Sequence, residues 1–159
     1  MRVMIAAVGR LKAGPDRALV ERYLERATQA GRSQGLTLSV REFADGKSAQ
    51  PALRMKEEAD AILAVLPADA ALVALDERGS ELSSKEFADR IGAFRDRGTR
   101  DLVFVIGGAD GHDASIRSRA DLLVAFGRMT WPHQIVRLML AEQIYRAITI
   151  LSGHPYHRA

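Results

Sequence analysis

At 159 residues, 47% apolar and 27% charged, the chain has the make-up of one ordinary globular domain (residues 1–159) and is long enough to bury a core. The absence of cysteine excludes a disulfide framework and a thiolate metal site and suits a reducing cytoplasm. A net charge of +3 permits a polyanionic partner without demanding one.

The opening "MRVMIAAVGRL" contains the first apolar run, "VMIAAV" (3–8), too short for a signal peptide. A helix is expected over 15–33, started by Pro15 and Asp16, with Leu19, Tyr23 and Ala27 inward. "LTLSVREF" (36–43) alternates, with Leu36, Leu38 and Val40 on one side, which predicts an edge strand. Met55, Ala59, Ile62, Leu63 and Leu66 keep helical spacing up to Pro67. "ALVAL" (71–75), "LVFVI" (102–106) and "LLVAF" (122–126) are apolar throughout, as parallel strands covered on both faces are. Between the first two, "LSSKEF" is a helix start: Ser83 caps, Glu86 completes a capping box, and Leu82 staples onto Phe87. A short helix follows Gly111, and a long one runs from Pro132 to about Leu151. Apolar residues cover nearly the whole circumference of that last helix, which predicts burial on all sides and a two-fold dimer. Arg137, Glu142 and Arg146 interrupt it too often for a membrane span. Strands and helices alternating in this way predict an α/β domain with a largely parallel sheet.

In such sheets, ligands bind beyond the carboxyl ends of the strands. Three strands end there in glycine-bearing loops: "LDERGS" (75–80), "IGGADG" (106–111) and "FGRMTWPH" (126–133). Glycine supplies positive φ at any one turn, but three such loops together predict a pocket that backbone approaches closely. "GGADG" is not the dinucleotide pattern G-x-G-x-x-G, and "GRLKAGPD" (9–16) lacks the Lys-Ser/Thr of a phosphate loop. There is no G-x-S-x-G elbow, and His112, His133, His154 and His157 form no H-E-x-x-H, so no metal is expected. Glu142 and Arg146 stand one helical turn apart, as a structural ion pair or as a pair facing the pocket.

"FVIGGADG", "MTWPHQIVRLMLAEQIYRA" and "GHPYHR", with "LDERGSELSS" and "VMIAAVGRLK", closely resemble the ribosomal large-subunit pseudouridine methyltransferase H family of the SPOUT class along the whole chain. The resemblance implies a homodimer with a trefoil knot near the C-terminus, against the general rule that chains do not thread. It further implies S-adenosylmethionine as methyl donor and N3 of a pseudouridine in 23S ribosomal RNA, on the ribosome, as acceptor. By matching position, the cofactor is held by Leu75, Gly107 and the stretch Phe126, Gly127, Arg128, Met129, Thr130 and Trp131. Leu75, Phe126, Met129 and Trp131 suit the slot an adenine ring needs, although Trp131 equally suits a plain core. The resemblance places the acceptor chemistry at the C-terminal tail, with Tyr156, His157 and Arg158 near the base and Glu142 and Arg146 ordering them. His133 and Arg137, one turn apart, are secondary candidates for positioning the nucleotide or its phosphate. Arg95, Arg97, Arg100, Arg117, Arg119 and Arg128 are candidates for RNA contact. The chain departs from the family pattern at His112, commonly leucine, and at Gly127, which offers no serine hydroxyl. A ribosome-assembly module with a relic pocket and a flavodoxin-like nucleotide-binding domain are the other classes the residues allow.

Overall fold

The computed structural model describes residues 1–157. Strands and helices alternate along them: β1 (Arg2–Val8), α1 (Pro15–Arg32), β2 (Thr37–Phe43), α2 (Pro51–Leu63), β3 (Ala71–Glu81), α3 (Ser84–Asp96), β4 (Asp101–Ile106), α4 (Ala114–Arg119), β5 (Leu122–Ala125) and α5 (His133–Leu151). The strands form one parallel sheet in the order β2-β1-β4-β3-β5. A helix in each connection is what parallel pairing requires.

Successive side chains of the central strands point to opposite faces, so each face has its own apolar cluster. Val3, Ile5, Leu102 and Phe104 pack with residues of α1, α3 and α5. Ala6, Val8, Val103 and Val105 pack with Ala59 and Ile62 of α2 and Ile116 of α4. Burial on both faces explains why β1 and β4 read as unbroken apolar runs. The alternating strand β2 is at the sheet edge as expected, but only Leu36 and Leu38 of its apolar side are covered; Val40 is exposed.

The α3 capping box is formed in full. Ser83 Oγ accepts from the Glu86 N–H at 3.2 Å, and the Glu86 carboxylate accepts from the Ser83 N–H at 2.8 Å. The second helix starts at Pro51 and ends at Leu63, three residues before the expected apolar stripe runs out, and a turn carries Leu66 to Pro67. The last helix is largely accounted for within one chain. It packs between α1 and α3, with Leu140, Ile144, Ala147 and Ile148 in the core, and only Gln134 along it is exposed.

The third strand departs most from expectation. Its apolar run ends at Leu75, yet the strand continues through polar residues to Glu81. Val73–Leu75 pair with Leu122–Val124; after an irregular step, Ser80 and Glu81 pair with Val124 and Ala125. Val124 therefore faces both Leu75 and Ser80, and residues 76–79 bulge out of the pairing between them. Gly79 is the closest approach: a Cβ there would lie 2.5 Å from Val124 N and 2.6 Å from Leu123 C.

Candidate cofactor site

Leu75 pairs with Ile106 at the end of β4 and with Val124 near the end of β5. The first glycine-bearing stretch, which is not a loop after a strand but the polar second half of β3, therefore converges with the other two exits. They enclose a cavity of about 150 Å³, lined by Leu75 and Asp76 from the first exit and by Gly107 and Gly108 from the second. Phe126, Gly127, Met129, Thr130 and Trp131 line it from the third, and His133 and Val136 close it from the start of α5. Of the residues expected at a cofactor, Arg128 alone does not line the cavity; it is exposed on the rim. Trp131 is not core: it is 40% exposed and donates its Nε1–H to Phe126 O at 3.1 Å, fixing the indole as a wall. Met129, 72% exposed, stands at the mouth.

The glycines of the second exit are needed by the protein before any ligand. A Cβ on Gly107 would sit 2.7 Å from Gly111 O and 3.1 Å from His112 Nδ1. One on Gly108 would sit 2.9 Å from the carboxylate of buried Glu58, which accepts from the Gly46 N–H at 2.9 Å. His112 ties two exits together: its Nε2 lies 3.0 Å from Leu75 O. Burial holds its pKa below the ordinary histidine value, so the neutral ring donates Nε2–H to that carbonyl. Next to it, burial pushes Asp76 up, but the Arg78 N–H and the Arg117 guanidinium at 2.8 Å outweigh this and hold its carboxyl below the usual range. The sequence did not single out Asp76; a polar residue just past an apolar run gives no hint that it is buried.

The expected tail residues form a second cluster. Glu142 Oε1 accepts from Tyr156 OH at 3.0 Å and from Arg146 Nε at 3.0 Å. The Arg146 guanidinium carbon lies 4.8 Å from the centre of the Tyr156 ring, and its Nη1 is 3.4 Å from His157 Nδ1. Burial, then hydrogen bonding with Tyr23 and Glu142, pushes the Tyr156 phenol well above its ordinary pKa. Tyr156 is thus a hydrogen-bond donor at neutral pH and a poor base. Arg158 lies outside the described residues.

None of these tail residues lines the cavity. Glu142 is nine residues past His133 on α5, roughly 14 Å along the helix axis. Glu142 and Gln143 instead border a groove of about 580 Å³, walled by Leu19, Tyr23, Leu82, Phe87, Leu138 and Met139. Groove and cavity share Val124, Ala125, Phe126 and Gly127 and lie back to back across the end of β5.

Arg137 is unavailable to a nucleotide. It is 2% exposed, donates to Gly9 O at 2.8 Å and Val8 O at 3.3 Å, and pairs with Glu42. The candidate RNA arginines are dispersed as well. Arg95, Arg97 and Arg100 precede β4, at the opposite end of a six-residue strand from Gly107, about 20 Å away. Arg117 is held by Asp76, and Arg119 donates to Ala70 O at 2.6 Å.

The model of the family described as "Predicted SPOUT methyltransferase" matches residues 1–157. The chain is 57% identical to the ribosomal RNA large subunit methyltransferase H of Allorhizobium ampelinum, over the full length of both. It is 55% identical to the proteins of that name from Brucella anthropi and Bradyrhizobium diazoefficiens, again over all of each chain. Among solved structures, the SpoU methyltransferase AviRb from Streptomyces viridochromogenes, in complex with AdoMet, matches at a TM-score of 0.41 and 14% identity, covering 96% of this chain and 61% of that one. Full-length identity of this order leaves one assignment: the chain belongs to the SPOUT methyltransferases, in the ribosomal RNA large subunit methyltransferase H family.

Proposed function

We propose that this chain is a single-domain, S-adenosylmethionine-dependent enzyme that methylates N3 of a pseudouridine in 23S ribosomal RNA on the assembled ribosome, in the cytoplasm. The observation that carries the reading is the cavity where three strand exits converge, in a chain of this family. Its residues fit the cofactor. Leu75, Phe126 and Trp131 offer apolar walls to an adenine, and the second exit presents bare backbone, with no Cβ between its peptide groups and a ligand. About 150 Å³ holds a ring rather than the whole donor, so the remainder lies toward the open mouth at Met129 and Thr130.

When bound, the cofactor supplies a methyl group on a sulfonium, open to in-line displacement by a nucleophile. The protein's part is chiefly to position the two reactants. His112 fixes the first exit against the second, and the Trp131 hydrogen bond fixes the third. The acceptor N3 must also lose its proton, and a cation beside the imide favours that loss. Arg146 supplies the positive charge, Tyr156 donates a hydrogen bond, and Glu142 holds both in register while His157 rests against Arg146.

The enzyme works as a homodimer. Two features support this: the tail cluster and the cavity are apart in one chain, and the groove behind β5 leaves Leu138 and Met139 only half-buried beside Leu19 and Tyr23. A partner in that groove covers the strip and carries its own tail toward the cavity. The chain is knotted near its C-terminus, a reading supported by Val124 facing both Leu75 and Ser80 and by the contact at Gly79.

The test supplies the purified protein with methyl-labelled S-adenosylmethionine and ribosomes lacking the modification. Label at N3 of a pseudouridine in 23S RNA is expected. Absence of label from ribosomal RNA, or its appearance at another base, would refute the assignment.

A further inference from the structure

We propose that the substrate RNA is gripped by its phosphates on the loop between β1 and α1, through Arg10 and Lys12, beside the cavity mouth. The inference rests on the reading of RNA as substrate and says which face of the protein meets it. It replaces the arginines near the start of β4, which are about 20 Å from the cavity along the sheet.

The loop's position comes first. Gly9, at φ +82°, turns the chain out of β1, with its N–H on Phe43 O at 2.9 Å. A Cβ on Gly9 would lie 3.4 Å from His133 Nε2, so the loop leaves the sheet against a wall of the cavity. Arg10 and Lys12 follow within three residues, a reach of about 10 Å.

The loop is also held. Buried Arg137 donates to Val8 O and Gly9 O and pairs with Glu42, whose Oε1 accepts the Leu11 N–H at 3.0 Å. Residues 8, 9 and 11 are thus clasped to the helix that carries His133, while the side chains of Arg10 and Lys12 are exposed. A fixed backbone presenting free cations loses little entropy on binding.

Charge supports the choice. Among the described residues, neither Arg10, Lys12 nor nearby exposed Lys47 takes part in a salt bridge. The acidic groups nearby are Asp45, Asp16, Glu57, whose carboxylate accepts the Lys47 N–H at 2.7 Å, and Glu42, which is already committed to Arg137. At the far end of the sheet, Arg2 is paired with Asp101 and Arg95 with Asp96. Arg97 and Arg100 take part in no salt bridge among the described residues and are set aside by their distance from the cavity. Free cations next to the cavity suit phosphates flanking a nucleotide whose base enters it.

The experiment measures binding to ribosomes lacking the modification by co-sedimentation over a range of salt, for the wild type, R10E/K12E, R10Q/K12Q and R97E/R100E. S-adenosylmethionine affinity is measured in parallel. The charge reversal is expected to weaken ribosome binding at least about tenfold at ~0.1 M salt and to make the log–log salt slope shallower by about two. The neutral pair is expected to fall in between, and R97E/R100E to bind as wild type. Cofactor affinity is expected to be unchanged in all of them. Wild-type binding by R10E/K12E, or an equal loss in R97E/R100E, would overturn the inference. A wild-type protein that binds ribosomes through this loop yet transfers no methyl would instead sink the proposed reaction and leave the surface standing.

Discussion

Replacing Gly79 by alanine tests the close approach of β3 to β5. The added Cβ would lie 2.5 Å from Val124 N and 2.6 Å from two backbone carbons of β5, whereas ordinary contact begins at 3.4 Å. The neighbours are main chain, so no rotamer change can relieve the overlap. One strand must move by about 1 Å, which strains the pairing of Val124 with Leu75 or with Ser80. A cost of about 3–5 kcal/mol is expected, a large share of the ~5–15 kcal/mol that holds a domain together. In a chain of this size that lowers Tm by roughly 6–20 °C. Gly14→Ala is the control: nothing lies within 4 Å of the new Cβ, and only the loss of a glycine helix cap, at most about 1 kcal/mol, is expected. Thermal and urea unfolding of both variants measure the difference. A Gly79→Ala protein melting within about 2 °C of the wild type would show that the strands are not packed as described.

Trp131→Ala removes a half-exposed cavity wall, so S-adenosylmethionine affinity measured by calorimetry should fall about tenfold while Tm barely moves; unchanged affinity would take the indole out of the site. His112→Leu should weaken cofactor binding by losing the bond to Leu75 O, and His112→Gln, which retains a donor, should restore most of it; equal loss in both would rule out the hydrogen bond. The same histidine sets a pH dependence. Its folded pKa is depressed, so below about pH 6.5 the unfolded chain binds the proton first. Wild-type stability should therefore fall with pH from about 6.5 down to the folded pKa, by up to ~1.4 kcal/mol per unit, and urea titrations of His112→Gln should lack this component. Tyr156→Phe loses one hydrogen bond to Glu142 outside the cavity, so cofactor affinity should stay and kcat should drop; undiminished turnover would make the tail merely structural.

Much of the architecture was legible locally. Unbroken apolar runs marked the buried strands, alternation put 36–43 at the edge, and Ser83 with Glu86 fixed the start of α3, each being a signal contained in a few neighbouring residues. The path of β3 beyond Leu75 was not legible, because residues 76–81 are polar and their pairing partner lies more than forty positions away. Gly79 was the one clue, a bare residue where two backbones meet. Three converging glycine loops pointed to the cavity, but the sequence assigned those glycines to a ligand, whereas Gly107 and Gly108 are first required by Gly111 and Glu58. Arg137 misled for a related reason. Its place one turn from His133 makes it a secondary candidate for a nucleotide or phosphate, while here it closes a buried pair with Glu42, a partner on β2. Arg95, Arg97 and Arg100 read as part of a modest basic face, and their distance from the cavity, at the opposite end of β4, is set by the parallel sheet and not by sequence spacing.

A crystal structure of the protein soaked with S-adenosylmethionine reads the cofactor assignment directly. The adenine is expected between Leu75, Phe126 and Trp131, with the donor's backbone-facing atoms against Gly107. Ordered cofactor in the groove behind β5, or beside Tyr156 in the same chain with the cavity empty, would contradict it.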